Sequence, residues 1–173
     1  MRYIVVLCIA LTLASCKPSP QKKAEDIGKL EAAILESAKK SISDTAKVKQ
    51  LLNEYDYYQA EFSTDTLCPV YLLKAAEFYR YLALPDKALY CYHRVNTDFP
   101  NYPKASMSLF LEAFIYENDK HDLAKAGQLY KTYLDKYPND KLAKSAKFSL
   151  DNLGKTPEQL MQQIDSSKTE KVN

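Results

Sequence analysis

The chain has 173 residues, 27% of them charged and 46% apolar when Tyr and Cys are counted, which suits one domain and excludes a wholly disordered chain. Lys and Arg number 24 against 22 acids, a net of +2 with the charges interspersed, so no basic stripe points to nucleic acid. Three Gly and eight Pro beside long Ala-, Leu-, Lys- and Glu-rich stretches disfavour sandwiches and barrels, which need a turn about every 8–12 residues, and predict an all-α protein.

At the N-terminus, Arg2 gives a positive region and Ile4 to Leu13 a short apolar one. That run falls below the 18 or so apolar residues that span a bilayer, so no permanent transmembrane helix is predicted. Leu13-Ala14-Ser15-Cys16 follows at once and resembles a bacterial lipobox. The resemblance implies cleavage between Ser15 and Cys16, a diacylglyceryl thioether on Cys16 and acylation of the new amine. Such chemistry needs a thiol nucleophile at that position and small side chains where the peptidase grips. The alternative is an ordinary secretory signal in which Cys16 stands by chance. Acyl chains contribute about 0.8 kcal/mol per buried methylene, so two or three of them make a firm anchor. Residues 1–15 are therefore read as a signal peptide and 16–23 as the lipidated Cys with its tether, Lys17-Pro-Ser-Pro-Gln-Lys-Lys23. In enteric lipoproteins an Asp after the Cys favours the inner membrane. Lys17 stands there instead, which implies the outer membrane, with the chain facing the periplasm.

Residues 24–165 read as one helical domain. A helix over 24–42 puts Ile27, Leu30, Ile34 and Ala38 on one face. It offers barely two heptads with Ser37 or Ala38 at the seam, too weak for a coiled coil. Asp44 is a candidate cap for a helix over 45–62, whose Val48, Leu51, Leu52 and Tyr55 point inward. Paired helices are expected at 69–83 with 86–99, and at 104–117 with 122–137. A half repeat runs over 141–153 and stops near Gly154. Thr156 to Gln159 form a capping box for a last helix, 157–165, before a polar tail, 166–173, expected to be disordered.

A period organises the middle of this map. Glu61-Phe62-Ser63 is followed 37 residues later by Asp98-Phe99-Pro100, and 38 later by Lys136-Tyr137-Pro138. Ala76 and Ala113 each have a Tyr three residues on, Tyr79 and Tyr116; Ala88 and Ala126 each have one four residues on, Tyr92 and Tyr130. These spacings place a small and an aromatic residue on one helical face, so a neighbouring helix approaches closely and the ring fills the gap above it. Phe-Pro and Tyr-Pro end the second helix of each pair, because Pro disfavours the α conformation of the residue before it. Asn101 and Asn139 are then candidate N-caps for the next helices.

This pattern resembles the tetratricopeptide repeat, with a first helix about three residues longer than in the usual 34-residue unit. The lengthening and the Tyr-Pro-Asn-Asp-x-x-Ala junction look like the repeats of outer-membrane assembly lipoproteins of the BamD type and of the Tol-Pal protein YbgF (CpoB). The likeness covers residues 45–153 well and 24–44 poorly. Glu112 at a usually apolar position, Ser63 in place of a Pro, and one extra residue within Asn118 to Asp122 depart from it. It implies helical hairpins stacked as a short right-handed solenoid, complete repeats at about 69–99 and 104–137, and half repeats and capping helices around them. It also implies that the first helix of each pair lines a concave groove, here Val70, Leu73, Lys74, Glu77, Arg80 and Tyr81, then Met107, Phe110, Leu111 and Phe114. Leu73, Lys74, Glu77, Arg80, Tyr81, Met107 and Leu111 are the partner-binding candidates; core packing is the competing reading, above all for Phe110 and Phe114.

Chemistry leaves little trace. A nucleophilic hydrolase needs Ser or Cys with His and a carboxylate. Only His93 and His121 exist. His93 stands two residues from Cys91, off its helical face, and His121 in Asp119-Lys120-His121-Asp122 reads as a solvated turn residue. CxxC, HExxH and Gly-rich phosphate loops are missing from the sequence. Hence no catalytic residue, metal site or cofactor is predicted, and the chain reads as a non-enzyme. Cys68 and Cys91 fall about 15 Å apart along antiparallel helices, beyond the roughly 7 Å a disulfide allows, so two separate thiols are expected. The resemblance implies a lipid-anchored scaffold that binds barrel-assembly or Tol-Pal subunits. A small self-associating lipoprotein, or a subunit of another envelope transport complex, is the alternative.

Overall fold

The computed structural model describes residues 17–40, 44–156 and 158–162. Seven α-helices account for most of them: α1 Pro20–Lys39, α2 Thr45–Glu61, α3 Cys68–Tyr81, α4 Pro85–Asp98, α5 Ala105–Asn118, α6 Leu123–Lys136 and α7 Ala143–Asp151. Residues 158–162 are helical too, and no strand occurs among the described residues, so the chain is all-α. Cys16, the signal segment and the tail 166–173 lie outside the described residues. Among those described, no helix is long and apolar enough to cross a membrane.

The helix ends follow local chemistry. Asp44 and Asp122 cap α2 and α6 by accepting from the backbone N–H groups of Lys47 and Lys125, at 3.0 and 2.9 Å. The start of α1 corrects the expected tether, since the helix begins at Pro20 rather than at residue 24. Ser19 accepts from the Lys22 N–H at 3.2 Å, and Pro20 sits where a missing N–H costs nothing. Asn101 and Asn139 are not N-caps: α5 and α7 start later, after Lys104 and Leu142, without a side-chain cap. Their first donors are met by turns, as Ala105 N–H donates to Tyr102 O and Ala143 N–H to Asp140 O, both at 2.9 Å.

Three left-handed positions lie in turns, at Ala83, His121 and Gly154. Ala83, at φ 55°, ends α3 with Leu84 N–H bonded to Tyr79 O and Ala83 N–H to Arg80 O, an arrangement that usually holds Gly. Gly154, at φ 78°, follows α7, and a Cβ there would stand 2.9 Å from the Leu123 side chain. Only Gly fits. The expected capping box is present, with Thr156 N–H donating to Gln159 Oε1 and Gln159 N–H to Thr156 Oγ1.

Each helix packs mainly on its neighbours in the chain, from α1 on α2 through to α6 on α7. Ala76, Ala88, Ala113 and Ala126 are all fully buried, the small residues the spacing placed at helix crossings. Tyr92 and Tyr130 are buried as expected, and so is Tyr55, which stands 37 residues before Tyr92. Fully burying such a side chain contributes about 1.5–3 kcal/mol. A buried phenol also needs a partner for its hydroxyl. Tyr55 donates to Glu31 at 2.6 Å, Tyr79 to Asp56 at 2.9 Å and Tyr130 to Glu117 at 2.7 Å. Burial, seconded by these carboxylates, pushes all three hydroxyls above the usual phenol range. These three rings thus fill the core while their hydroxyls reach acidic groups at its rim, whereas the buried Tyr92 hydroxyl has no hydrogen-bond partner.

Candidate functional site

The partner-binding candidates sit on α3 and α5, and the fold sorts them. Leu73 is only 4% exposed and packs into the core with Leu72 and Tyr71, so it is withdrawn from any docking surface. An α-helix turns 100° or so per residue, and Leu73 faces inward while Lys74 faces the rim. Met107 and Leu111 are half-buried against the same core. Phe110 lies against Tyr130 and Tyr133, with ring centroids 5.7 and 5.9 Å away, which favours packing for that residue.

Lys74 is tied down. Its Nζ reaches both oxygens of Glu31 in α1, at 2.7 and 2.8 Å, and Glu31 also accepts from the Tyr55 hydroxyl. Tyr55 stacks on Tyr71, centroids 5.3 Å apart. One half-buried carboxylate therefore joins α1, α2 and α3.

Arg80, Glu77 and Tyr81 are less engaged. Glu77 is exposed, and Tyr81 is 75% exposed, the most open aromatic among the described residues. The Arg80 guanidinium lies 5.3 Å from the centre of the Phe114 ring, linking α3 to α5. Its nearest carboxylate is Asp119, only at 4.0 Å, and its buried Nε has no hydrogen-bond partner. Arg80 borders a cavity of 300 Å³ with Ala83, Pro85 and Asp119. Burial raises the nearby Tyr92 hydroxyl to about 12, opposed by the Arg80 charge. The end of α3 thus presents a preorganised cation beside an exposed ring.

Residues the sequence reading set aside make a second cluster. Glu112 is 6% exposed, and His93 Nδ1 in α4 lies 3.2 Å from its Oε1. Burial raises the Glu112 carboxyl, with His93 and Lys125 opposing. The departure of Glu112 from an apolar position was visible in sequence, but its partner lies 19 residues away on another helix. His121 is exposed at φ 53° in the α5–α6 turn.

Cys68 and Cys91 are both buried and unbridged. Burial raises the Cys68 thiol and pushes that of Cys91 to about 12, so neither has thiolate character. Among the described residues no group of three or more His, Cys, Asp or Glu is placed to hold a metal ion. No known family model matches this chain, and no curated protein matches it either.

Proposed function

We propose that this chain is a lipid-anchored scaffold, held at the outer membrane through Cys16 and facing the periplasm. In this reading its helices form tetratricopeptide-like hairpins stacked as a short right-handed solenoid, and the α3–α5 face binds partner proteins of an envelope machine. Barrel-assembly and Tol-Pal subunits are the partner classes the sequence resemblance favours. The observation that carries the reading is the repeated use of equivalent positions. Helix pairs α3–α4 and α5–α6 recur at the sequence period, with Ala76 and Ala113, Ala88 and Ala126, and Tyr92 and Tyr130 buried alike. A stack of such units leaves a long face for a partner, and exposed Tyr and Arg groups are the usual anchors of such faces.

Two experiments test the two halves. Changing Cys16 to Ala should abolish labelling by a fatty-acid probe, and persistent labelling would sink the anchor. Changing Arg80 and Tyr81 together to Ala should weaken capture of the partner while shifting the melting midpoint little, since Tyr81 touches mostly solvent. A large loss of stability would mark these residues as structural instead.

A further inference from the structure

The junctions α2–α3, α4–α5 and α6–α7 lie side by side along one edge of the molecule. Thr66 and Pro69 of the first line a notch of 380 Å³ with Phe99, Pro100, Tyr102 and Pro103 of the second. Ser106, at the start of α5, donates to Asp140 of the third at 2.9 Å. The N-terminus comes to this same edge. Lys17 reaches Glu61, the last residue of α2, at 2.7 Å, and Lys23 pairs with Glu54 further down α2. The opposite edge holds the α3–α4 and α5–α6 turns, which Lys120 ties together by donating to Asp86 at 2.7 Å. Arg80 and Tyr81 stand at that far edge, at the end of α3.

Chain length decides which edge a lipid on Cys16 can bring to a membrane, a step that rests on the anchor proposed above. Cys16 adjoins Lys17 and stands four residues before α1 begins at Pro20. An exposed pair such as Lys17 with Glu61 is weak, but even with it open four residues extend no further than about 14 Å. The 14-residue helices α3 and α5 are about 21 Å long, so the far edge lies beyond that reach. The side chains of the near edge suit a headgroup layer. Phe62, Phe99, Tyr102 and Tyr137 are half-buried there, and Pro100, Pro103 and Pro138 are exposed. Lys104, Lys136 and Lys141 are exposed too, and among the described residues none of them forms an ion pair. Of the acids nearby, Glu61, Asp65, Asp98 and Asp140 already accept from other side chains, and Asp135 remains. Aromatic rings favour the boundary between water and lipid, and lysines beside it are drawn to anionic headgroups.

We propose that the junction edge docks on an anionic lipid surface beside the Cys16 anchor. The anchor fixes the α1–α2 end of this edge. Lys104, Lys136 and Lys141 then lay the later junctions down on the headgroups, with Phe99 and Tyr102 at the boundary. The molecule is held by two contacts rather than swinging on one, and the far edge with Arg80 and Tyr81 is turned away from the bilayer.

The test places the full lipidated chain in vesicles of phosphatidylethanolamine and phosphatidylglycerol that contain some nitroxide-headgroup lipid. A fluorophore is attached through Asn101→Cys or Asn139→Cys on the junction edge, or through Asn118→Cys on the far one. The native Cys68 and Cys91 are buried and stay unlabelled. Flotation of each sample with the vesicles is measured first. The labels at 101 and 139 should be quenched roughly threefold more than the label at 118. Lys104→Glu, Lys136→Glu and Lys141→Glu together should bring both down to the level at 118, with flotation unchanged because the acyl chains still hold. Should that variant fail to fold, the unreversed chain in vesicles of phosphatidylcholine alone decides, with the same fall expected. Flotation with equal quenching at all three sites would overturn the docking edge and leave the anchor standing. Quenching that survives both the charge reversal and the neutral lipid would overturn the role of the lysines, and failure to float would overturn the anchor and the docking edge with it.

Discussion

The junctions between hairpins are built in two ways on one backbone. At α2–α3, α4–α5 and α6–α7 the same two turn bonds recur: Asp65, Tyr102 and Asp140 each donate to the aromatic three residues before, and Cys68, Ala105 and Ala143 each donate back to them. Around this common turn the side chains differ. In the outer two junctions a buried Tyr donates to the Asp seven residues on, Tyr58 to Asp65 at 2.8 Å and Tyr133 to Asp140 at 2.7 Å. The same Asp accepts from a backbone N–H, of Leu67 or Leu142, at 2.8 and 2.9 Å. The middle junction has Val95 and Tyr102 in those places and no such lock. Both members of the pair differ together, so neither version leaves a buried polar group alone. The lesson is that the backbone turn does not require the lock, which adds stability to a geometry that its two turn bonds already define.

The comparison breaks most sharply at the rings. Tyr133→Ala should cost about 3–5 kcal/mol, as for other large buried aromatics. Val95→Ala, at the equivalent place, should cost only about 2 kcal/mol. Chemical denaturation of the two variants measures both. Removing just the hydroxyl is gentler. Tyr133→Phe and Tyr58→Phe should each cost about 1–2 kcal/mol, and Tyr133→Phe should add little once Asp140 has been changed to Ala. Additive losses in that double-mutant cycle would mean that the hydroxyl and the carboxylate act separately.

A smaller effect is expected at the α3–α4 turn. Ala83→Gly should raise stability by about 1 kcal/mol, because a left-handed backbone strains any residue with a Cβ. A lower melting midpoint would show that the turn draws support from the Ala83 side chain. Least of all is the acid effect. The Leu142 N–H, and next the Tyr133 hydroxyl, hold the Asp140 carboxyl below its ordinary range. A depressed pKa contributes stability that is full above the unfolded value of about 3.9 and is lost as pH falls through the folded one. The wild type should therefore lose more of its melting midpoint below about pH 4 than Asp140→Asn does, and equal losses would remove Asp140 from the account.

Much of this architecture was legible in the sequence. Hydrophobic spacing found all seven helices, Asp44 announced α2, and the Ala positions of the period with Tyr79, Tyr92 and Tyr130 became the core, while Tyr116 is only half-buried. The start of α1 was equally readable, as Ser19 before Pro20 is a cap followed by a favoured first residue, but Pro and Lys nearby pointed to a tether. The Tyr–Asp lock was present as two pairs seven residues apart, Tyr58 with Asp65 and Tyr133 with Asp140, but a seven-residue spacing that runs from a helix into a turn has no helical or strand period to mark it. Leu73 could not be separated from Lys74, since both occupy groove positions and only the packed helix shows which one turns inward. Glu112 stood out as misplaced, yet its match with His93 comes from the packing of α5 on α4, which no local spacing encodes.

The central claim is that the end of α3 meets an envelope partner. Its most direct test replaces Tyr81 with a photocrosslinking amino acid in living cells and identifies the adduct by mass spectrometry. The account predicts a defined adduct with a barrel-assembly or Tol-Pal component, lost when Arg80 is changed to Ala. An adduct only with a second copy of this chain, or none at all, would contradict it.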